Sequence, residues 1–355
     1  MRPGAAPVLA TASLAPHESV SPAPLTPAAP AAPEAEPQGP SNLRLRVIWG
    51  ALAAALLFGC TFGGPISFGL FFAAVQAVML KEFYRIMRAG GYKPAFWIGI
   101  VFGTLLCLFN YFFAHYEAQV GNAFFAAGPF ETGATVYPPL SALPQESASI
   151  GTLSLIEPRL WVTIYFLPVW GVLLLVGLIV REIARWPASG QPFADVAITV
   201  IGICYVSIPM SLLSNIAHHG LKYEPRHVFL LIFLIWAADT GAYFAGKNFG
   251  RHKLAPSISP GKTWEGWAGG ALLTLAVGWV AGYFVPDVAL GHRLVAAGVV
   301  AVFGPLGDLT ESMLKRSAGV KDSGTFLPGH GGLLDRFDAF LLVLPVLALL
   351  QALAR

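Results

Sequence analysis

Long apolar runs alternate with short polar segments from about Val47 to the end of the chain. Several runs approach the roughly 20 residues that a helix needs to cross a bilayer. The nine runs are about Val47–Phe62, Ile66–Leu80, Ala95–Ala114, Leu160–Val180, Val196–Ile216, Val228–Phe244, Trp267–Phe284, Leu294–Leu306 and Phe340–Ala354. This pattern predicts an all-α integral membrane protein with about nine transmembrane helices.

Composition supports lipid as the solvent of this chain. Of its 355 residues, 55% are hydrophobic and only 12% are charged, whereas about a quarter of the residues of a soluble domain are charged. The net charge of +3 is too small and too scattered to predict a nucleic-acid partner. The three cysteines lie inside apolar runs, so neither a zinc site nor a disulfide framework is expected.

The distribution of Lys and Arg predicts the orientation in the membrane. With the N-terminus inside the cell and nine spans, 17 of the 22 basic residues fall in cytoplasmic loops and 5 fall outside. Such an excess on one side is typical of cytoplasmic loops. The sequence therefore predicts an N-in/C-out topology.

The chain divides into three regions by composition. Residues 1–42 are rich in Pro and Ala and predict a disordered tail. Residues 43–230 form an N-terminal transmembrane region that includes an extracytoplasmic loop at about 115–158. Residues 231–355 form a C-terminal transmembrane region, in which the candidate chemistry is concentrated.

Acidic side chains mark this C-terminal region, on one predicted side of the membrane: Asp239, Asp308, Glu311, Asp322, Asp335 and Asp338. Ionisable groups near membrane depth are costly and predict a compensating cation or a function. Asp308 and Glu311 are three residues apart, as are Asp335 and Asp338, so each pair would project from one helical face where carboxylates can share a magnesium ion. The alternative is a set of salt bridges with Lys315, Arg316, Lys321 and Arg336.

Two glycine-rich stretches accompany the acids. In Ser259–Gly266 (SPGKTWEG), Gly261 would let backbone N–H groups approach a phosphate and Lys262 would supply a positive charge. The upstream glycine of a Walker A loop is missing, so this is not that loop. The second stretch, Pro328–Gly332 (PGHGG), directly precedes Leu-Leu-Asp-Arg-Phe-Asp.

These residues together resemble a known family. The 27 residues from Ser312 to Asp338 are similar throughout to the signature of phosphatidate cytidylyltransferases, also called CDP-diglyceride synthases. The stretches Asp239–Gly246, SPGKTWEG and Gly307-Asp308-Leu309 also resemble family elements. The resemblance covers about Trp236 to Phe340.

The resemblance implies an inner-membrane, multi-pass enzyme that converts CTP and phosphatidate into CDP-diacylglycerol and diphosphate. It implies a magnesium cofactor, with potassium as a candidate second cation. Whether the protein forms a homodimer is left open. Asp308 and Asp335 become the first-choice metal ligands, and Asp239, Asp322 and Asp338 the second choices. The implied catalytic set is Asp308, Asp335, Lys315 and Arg336, and the substrate-binding set is Ser259, Gly261, Lys262, Ser312, Arg316, Lys321, His330, Gly331 and Gly332.

Three other functions share part of this pattern. A CTP-dependent kinase acting on a polyprenol or another lipid would use the same nucleotide and metal, but it would release CDP instead of diphosphate. A transporter would show related halves, whereas the acids here form one C-terminal block. An inactive relative of the family would be expected to lack some of the acids.

Overall fold

The computed structural model describes residues 40–126, 167–187, 190–219, 222–324, 326 and 331–353. Within these ranges the chain is mainly helical. The helices are α1 (Pro40–Phe62), α2 (Pro65–Ala89), α3 (Phe96–Ala126), α4 (Leu167–Arg185), α5 (Pro192–Ala217), α6 (Pro225–Phe249), α7 (Trp264–Val280), α8 (Leu290–Ser317) and α9 (Leu334–Leu353). A π-helical turn at Ile203–Ser207 interrupts α5, and a 3₁₀ turn at Ala281–Tyr283 follows α7.

Two short antiparallel hairpins complete the described structure. Strands β1 (His218–His219) and β2 (Lys222–Tyr223) form one hairpin, and β3 (Lys253–Ala255) and β4 (Ser259–Thr263) form the other. Both hairpins lie outside the apolar runs. The predicted tail before Pro40, residues 127–158 of the predicted loop, and His330 fall outside the described residues.

The prediction of an all-α, multi-pass membrane protein is confirmed in its general form. Each of the nine apolar runs overlaps a described helix. Among the described residues, six helical segments are long and apolar enough to cross a membrane: Pro65–Ala89, Phe96–Phe113, Pro192–Ala217, Pro225–Phe249, Leu290–Ser317 and Leu334–Leu353. The count of nine spans and the orientation stay predictions.

Three helices continue well beyond the apolar runs that predicted them. α2 reaches Ala89, α3 reaches Ala126 and α8 reaches Ser317. Apolar runs stop at the first charged residues, but backbone hydrogen bonding does not have to stop there. Consequently Glu82 and Asp308 lie on helices. The boundary predicted between residues 230 and 231 lies within α6.

Large apolar side chains cover much of the outer surface, including Val172, Leu272 and Trp279, which are all exposed. The interior is built on a stripe along α2, where Phe68, Phe72, Val75, Met79 and Phe83 are buried. Their spacing of three or four residues puts them on one face of the helix. An apolar exterior around a packed interior is what a lipid environment requires.

The close approach of α8 to α9 positions the acidic residues of both helices. A Cβ atom at Gly307 would lie 2.5 Å from the backbone oxygen of Asp338, so only glycine allows this contact. Pro305 lies inside α8 and has no N–H to donate to Ala301. The indole N–H of Trp267 on α7 donates to the Ala301 oxygen instead, at 3.0 Å.

Candidate active site

The β3–β4 hairpin brings a lysine to the acidic face of α8. Lys262 on β4 forms an ion pair with Asp308, with 2.7 Å between Nζ and Oδ2. Its ammonium group also donates to the backbone oxygen of Pro305 at 3.3 Å. Thr263 then caps α7 by accepting the Gly266 N–H at 3.1 Å, which fixes the hairpin to the start of that helix.

This ion pair lines a cavity of about 490 Å³ between α6, the hairpin, α7 and α8. Asp239, Gly261 and Tyr243 lie on its wall together with Lys262 and Asp308. The side chain of Asp308 is 43% exposed, so its carboxylate is open to a ligand. The structure therefore brings together four of the residues predicted for metal and phosphate binding, namely Asp239, Gly261, Lys262 and Asp308.

Negative charge exceeds positive charge around this cavity. Asp338 on α9 interacts electrostatically with Asp308, Asp239 and Lys262, and Asp239 interacts with Asp308. Three carboxylates thus interact with one lysine, and Asp308 forms the direct ion pair. We call Asp239, Lys262, Asp308 and Asp338 the cavity cluster, of which the first three line the cavity. Such an arrangement favours a further cation.

A second group of charges lies on the adjacent face of α8. Lys315 pairs with Glu311 and with Asp335, each at 2.6 Å. Asp335 Oδ2 accepts the hydroxyl of Ser323 at 2.7 Å and the N–H of Gly332 at 3.0 Å. We call Glu311, Lys315, Ser323, Gly332 and Asp335 the loop cluster, because it joins α8 and α9 to the intervening loop.

The acids are not grouped in the way that their spacing along the helices predicted. Asp308 and Glu311 are three residues apart, but each contacts a different lysine. A separation of three residues places two side chains about 60° apart around a helix, which is enough to direct them to different neighbours. Glu311 is 1% exposed, and its Oε1 atom has no hydrogen-bond partner among the described residues.

The other predicted residues lie around the two clusters. Ser312 donates to Asp308 Oδ1 at 3.3 Å. Lys321 and Asp322 line a separate cavity of about 350 Å³ with Arg85 from α2. Ser259 pairs with Ala255 at the start of β4, Gly331 has a φ of 83°, and Arg316 and Arg336 are exposed.

The hairpin has its own charged anchor outside the spans. Glu265 contacts His252 and accepts the backbone N–H of Arg251 at 3.0 Å. These hydrogen bonds, with His252 contributing most, lower the pKa of Glu265 to about 2. Glu265 therefore carries its negative charge throughout the neutral and mildly acidic range.

The donor chemistry of the cavity cluster fits a hard cation. Carboxylate oxygens are the ligands that magnesium prefers, and here they outnumber the single lysine. Within the described ranges, no three His, Cys, Asp or Glu side chains are already arranged around one point. The oxygens of both Asp308 and Asp335 accept from protein donors, but only Asp308 lines the cavity, and its side chain is 43% exposed against 18% for Asp335. These differences favour Asp308 over Asp335 as the first ligand.

Sequence reasoning missed one acidic residue that contacts this region. Glu82 on α2 is buried and accepts the N–H of Leu334, the first residue of α9, at 2.8 Å. It follows the second apolar run by two positions and lies 252 residues from its partner. The only local signal was an acid beside a long apolar run.

Comparison with curated proteins gives matches confined to part of the chain. A phosphatidate cytidylyltransferase of Staphylococcus saprophyticus is 46% identical over 159 residues, and those of Staphylococcus epidermidis and Staphylococcus aureus are 44% identical over the same length. The matched segment spans 44% of this chain and 60% of each relative.

A broader comparison covers nearly all of the described structure. The model of the cytidylyltransferase family matches residues 44–354, which include both clusters and the hairpin. This match extends well beyond the C-terminal motifs, and it shows that the chain belongs to the cytidylyltransferase family.

Proposed function

We propose that this protein is a phosphatidate cytidylyltransferase, which transfers the cytidylyl group of CTP to phosphatidate and releases diphosphate. The observation that carries the proposal is the cavity cluster in a chain of the cytidylyltransferase family. The relatives that bear this activity in their names share 44–46% identity over 159 residues, which supports the assignment. Phospholipid biosynthesis is the corresponding process.

The proposed reaction needs positioning and charge neutralisation more than a protein nucleophile. A phosphate oxygen of phosphatidate attacks the α-phosphorus of CTP, the bond to the β-phosphate oxygen breaks, and diphosphate leaves with the bonding electrons. The lipid phosphate is already ionised, so no strong base is required. Lys262 is suited to bind a phosphate oxygen, because it lines the cavity and can exchange its contact with Asp308 for one with the ligand.

The residues of the cavity cluster would hold a magnesium ion. Asp308 is the first ligand, with Asp239 and Asp338 as its neighbours. When bound, the cation supplies neutralisation of the phosphate charge that develops during transfer. Lys262 would bind and orient the nucleotide phosphates, while Ser312 holds the carboxylate of Asp308.

One assay tests the activity directly. Purified protein in detergent is mixed with CTP, phosphatidate and magnesium, and diphosphate and a CDP-linked lipid are measured together. Equal amounts of the two products are expected. Release of CDP with a phosphorylated lipid would identify a kinase and overturn the proposal, as would the absence of any product from folded protein.

The finer topology belongs to the same proposal. Nine spans in an N-in/C-out orientation would put the β3–β4 hairpin in the cytoplasm, where CTP is available, and the membrane would be the inner membrane. Ser257 in this hairpin is exposed and suits a labelling test. In a Ser257→Cys variant, an impermeant thiol reagent should react only after permeabilisation, and reaction in intact cells would reverse the orientation.

A further inference from the structure

The C-terminal third of α2 makes a long-range contact with the start of α9. Glu82 is 5% exposed, and its Oε2 accepts the Leu334 N–H at 2.8 Å. The backbone of Leu333 also interacts favourably with this carboxylate. The same two helices also meet where Phe72 of α2 packs edge-on against Phe337 of α9, with ring centroids 6.3 Å apart.

This contact meets a specific requirement of α9. The first N–H groups of a helix have no partner within the helix, and burial makes an unpartnered N–H costly. Glu82 supplies an acceptor from another helix, and its negative charge is also favourable at the positive end of the α9 dipole. The turn that carries Asp335 thus depends on a residue of α2.

The same carboxylate fits tightly against the loop before α9. A Cβ atom added at Gly332 would lie 2.8 Å from Glu82 Oε2 and would also collide with Ser323 Oγ. A Cβ atom at Gly324 would collide with Glu82 Oε1. Ser323 and Gly332 are the residues that donate to Asp335 Oδ2. Glu82 therefore lies close to Gly324 and Gly332, in the two backbone segments whose residues donate to Asp335.

We propose that Glu82 is a positioning residue of the site, which fixes the first turn of α9 and the backbone at Ser323–Gly324 and at Gly332 so that Asp335 keeps its place beside Lys315. The expected effect on turnover rests on the proposed function, whereas the expected effect on the backbone beside Asp335 does not. Glu82 acts through its acceptor oxygens and does not itself touch the substrate.

The test compares two substitutions at Glu82 with a matched control. Glu82→Ala removes the acceptor, whereas Glu82→Gln keeps an acceptor oxygen and removes the charge. Asp195 is the control, because it is also buried and accepts a distant backbone N–H, that of Lys93 at 2.6 Å, from a different part of the fold. Asp195→Ala should reveal the general cost of deleting such a contact.

Two measurements are made on each purified variant. The first is hydrogen exchange of the backbone at residues 331–338, which is independent of any substrate. The second is turnover at saturating CTP and phosphatidate. Glu82→Ala should speed exchange there and lower turnover at least about tenfold, because the buried Leu334 N–H loses its acceptor. Glu82→Gln should stay within about threefold of the wild type in both, and Asp195→Ala should leave both nearly unchanged.

Each contrary outcome has a distinct meaning. Unchanged exchange in Glu82→Ala would overturn the positioning role whether or not the protein acts on phosphatidate. A Gln variant as inactive as the Ala variant would make Glu82 a direct ligand of substrate or cation, and it would also overturn the proposal. An inactive wild type with faster exchange in Glu82→Ala would instead refute the proposed function and leave the positioning role intact.

Discussion

The cavity cluster and the loop cluster are built from the same residue types on adjacent faces of α8, but they are solvated differently. In the cavity cluster the side chains of Lys262 and Asp308 are 23% and 43% exposed. In the loop cluster those of Lys315 and Asp335 are 13% and 18% exposed. The first pair borders a cavity of about 490 Å³, and the second pair is surrounded by protein donors.

This difference shows that spacing of acids along a helix does not decide their use. An exposed pair contributes little to stability and can exchange partners with a ligand. A buried pair is costly to break, because the remaining charge has no water to solvate it. The cavity cluster is therefore suited to binding, and the loop cluster to holding Ser323, Gly332 and the start of α9 beside α8.

Removing the lysine of the buried cluster should have the largest effect. Lys315→Met leaves Glu311 and Asp335 without their shared cation, and loss of one partner of a buried pair costs about 3–5 kcal/mol. Thermal unfolding in detergent should show a large fall in the midpoint. Lys262→Met is the matched control and should change the midpoint little, so equal shifts would erase the distinction between the clusters.

Neutralising the exposed acid should act on turnover instead. Asp308→Asn keeps the shape of the side chain, removes the charge and should lower turnover at least about a hundredfold, the scale for losing one well-placed electrostatic partner. Its thermal midpoint should stay near that of the wild type. Asp287→Asn, which alters a hydrogen bond with His227, is the control and should remain active. Full activity of Asp308→Asn would remove this residue from the site.

A smaller effect is expected at the helix cap beside Lys262. Thr263→Ala removes the acceptor for the Gly266 N–H and should lower the free energy of unfolding by about 1 kcal/mol. Thr263→Ser keeps the hydroxyl oxygen and should restore most of that loss. Thermal unfolding of the two variants checks this, and equal stability of Ala and Ser variants would mean that the cap contributes nothing.

The smallest effect should come from the exposed contact of Glu265 with His252. The pKa of Glu265 falls from its ordinary 4.5 to about 2 in the folded protein, so the contact stabilises the fold above pH 4.5. That contribution is lost as the pH falls from 4.5 towards 2. Glu265→Gln should flatten this part of the stability profile slightly. The check is the thermal midpoint of the wild type and of the variant, measured across this pH range. Identical profiles for the two proteins would contradict the prediction.

The sequence predicted most of what depends on local pattern. The apolar runs located the helices, because burial and lipid contact require apolar side chains over whole turns. Lys262 and Asp308 were both predicted as site residues. The motifs alone could not show which of the candidate lysines pairs with Asp308. That choice depends on how the β3–β4 hairpin turns back towards α8.

Glu82 shows where local pattern fails. It lies just past an apolar run, where an acid usually marks the end of a span, and no spacing rule connects it with Leu334. Its role follows from the packing of α2 against α9, which only the tertiary structure reveals. The occupied oxygens of Asp335 are a similar case, because its donors come from the loop and from α8.

The separation of 252 residues between Glu82 and Leu334 also has a consequence for biosynthesis. Ribosomes add about 5–20 residues per second, so α2 is complete roughly 10–50 s before its partner residue is made. During that interval Glu82 lacks the Leu334 N–H that it accepts in the complete structure. The contact can therefore form only once α9 has been made, and a nascent chain arrested before α9 leaves the Glu82 carboxylate without the Leu334 N–H.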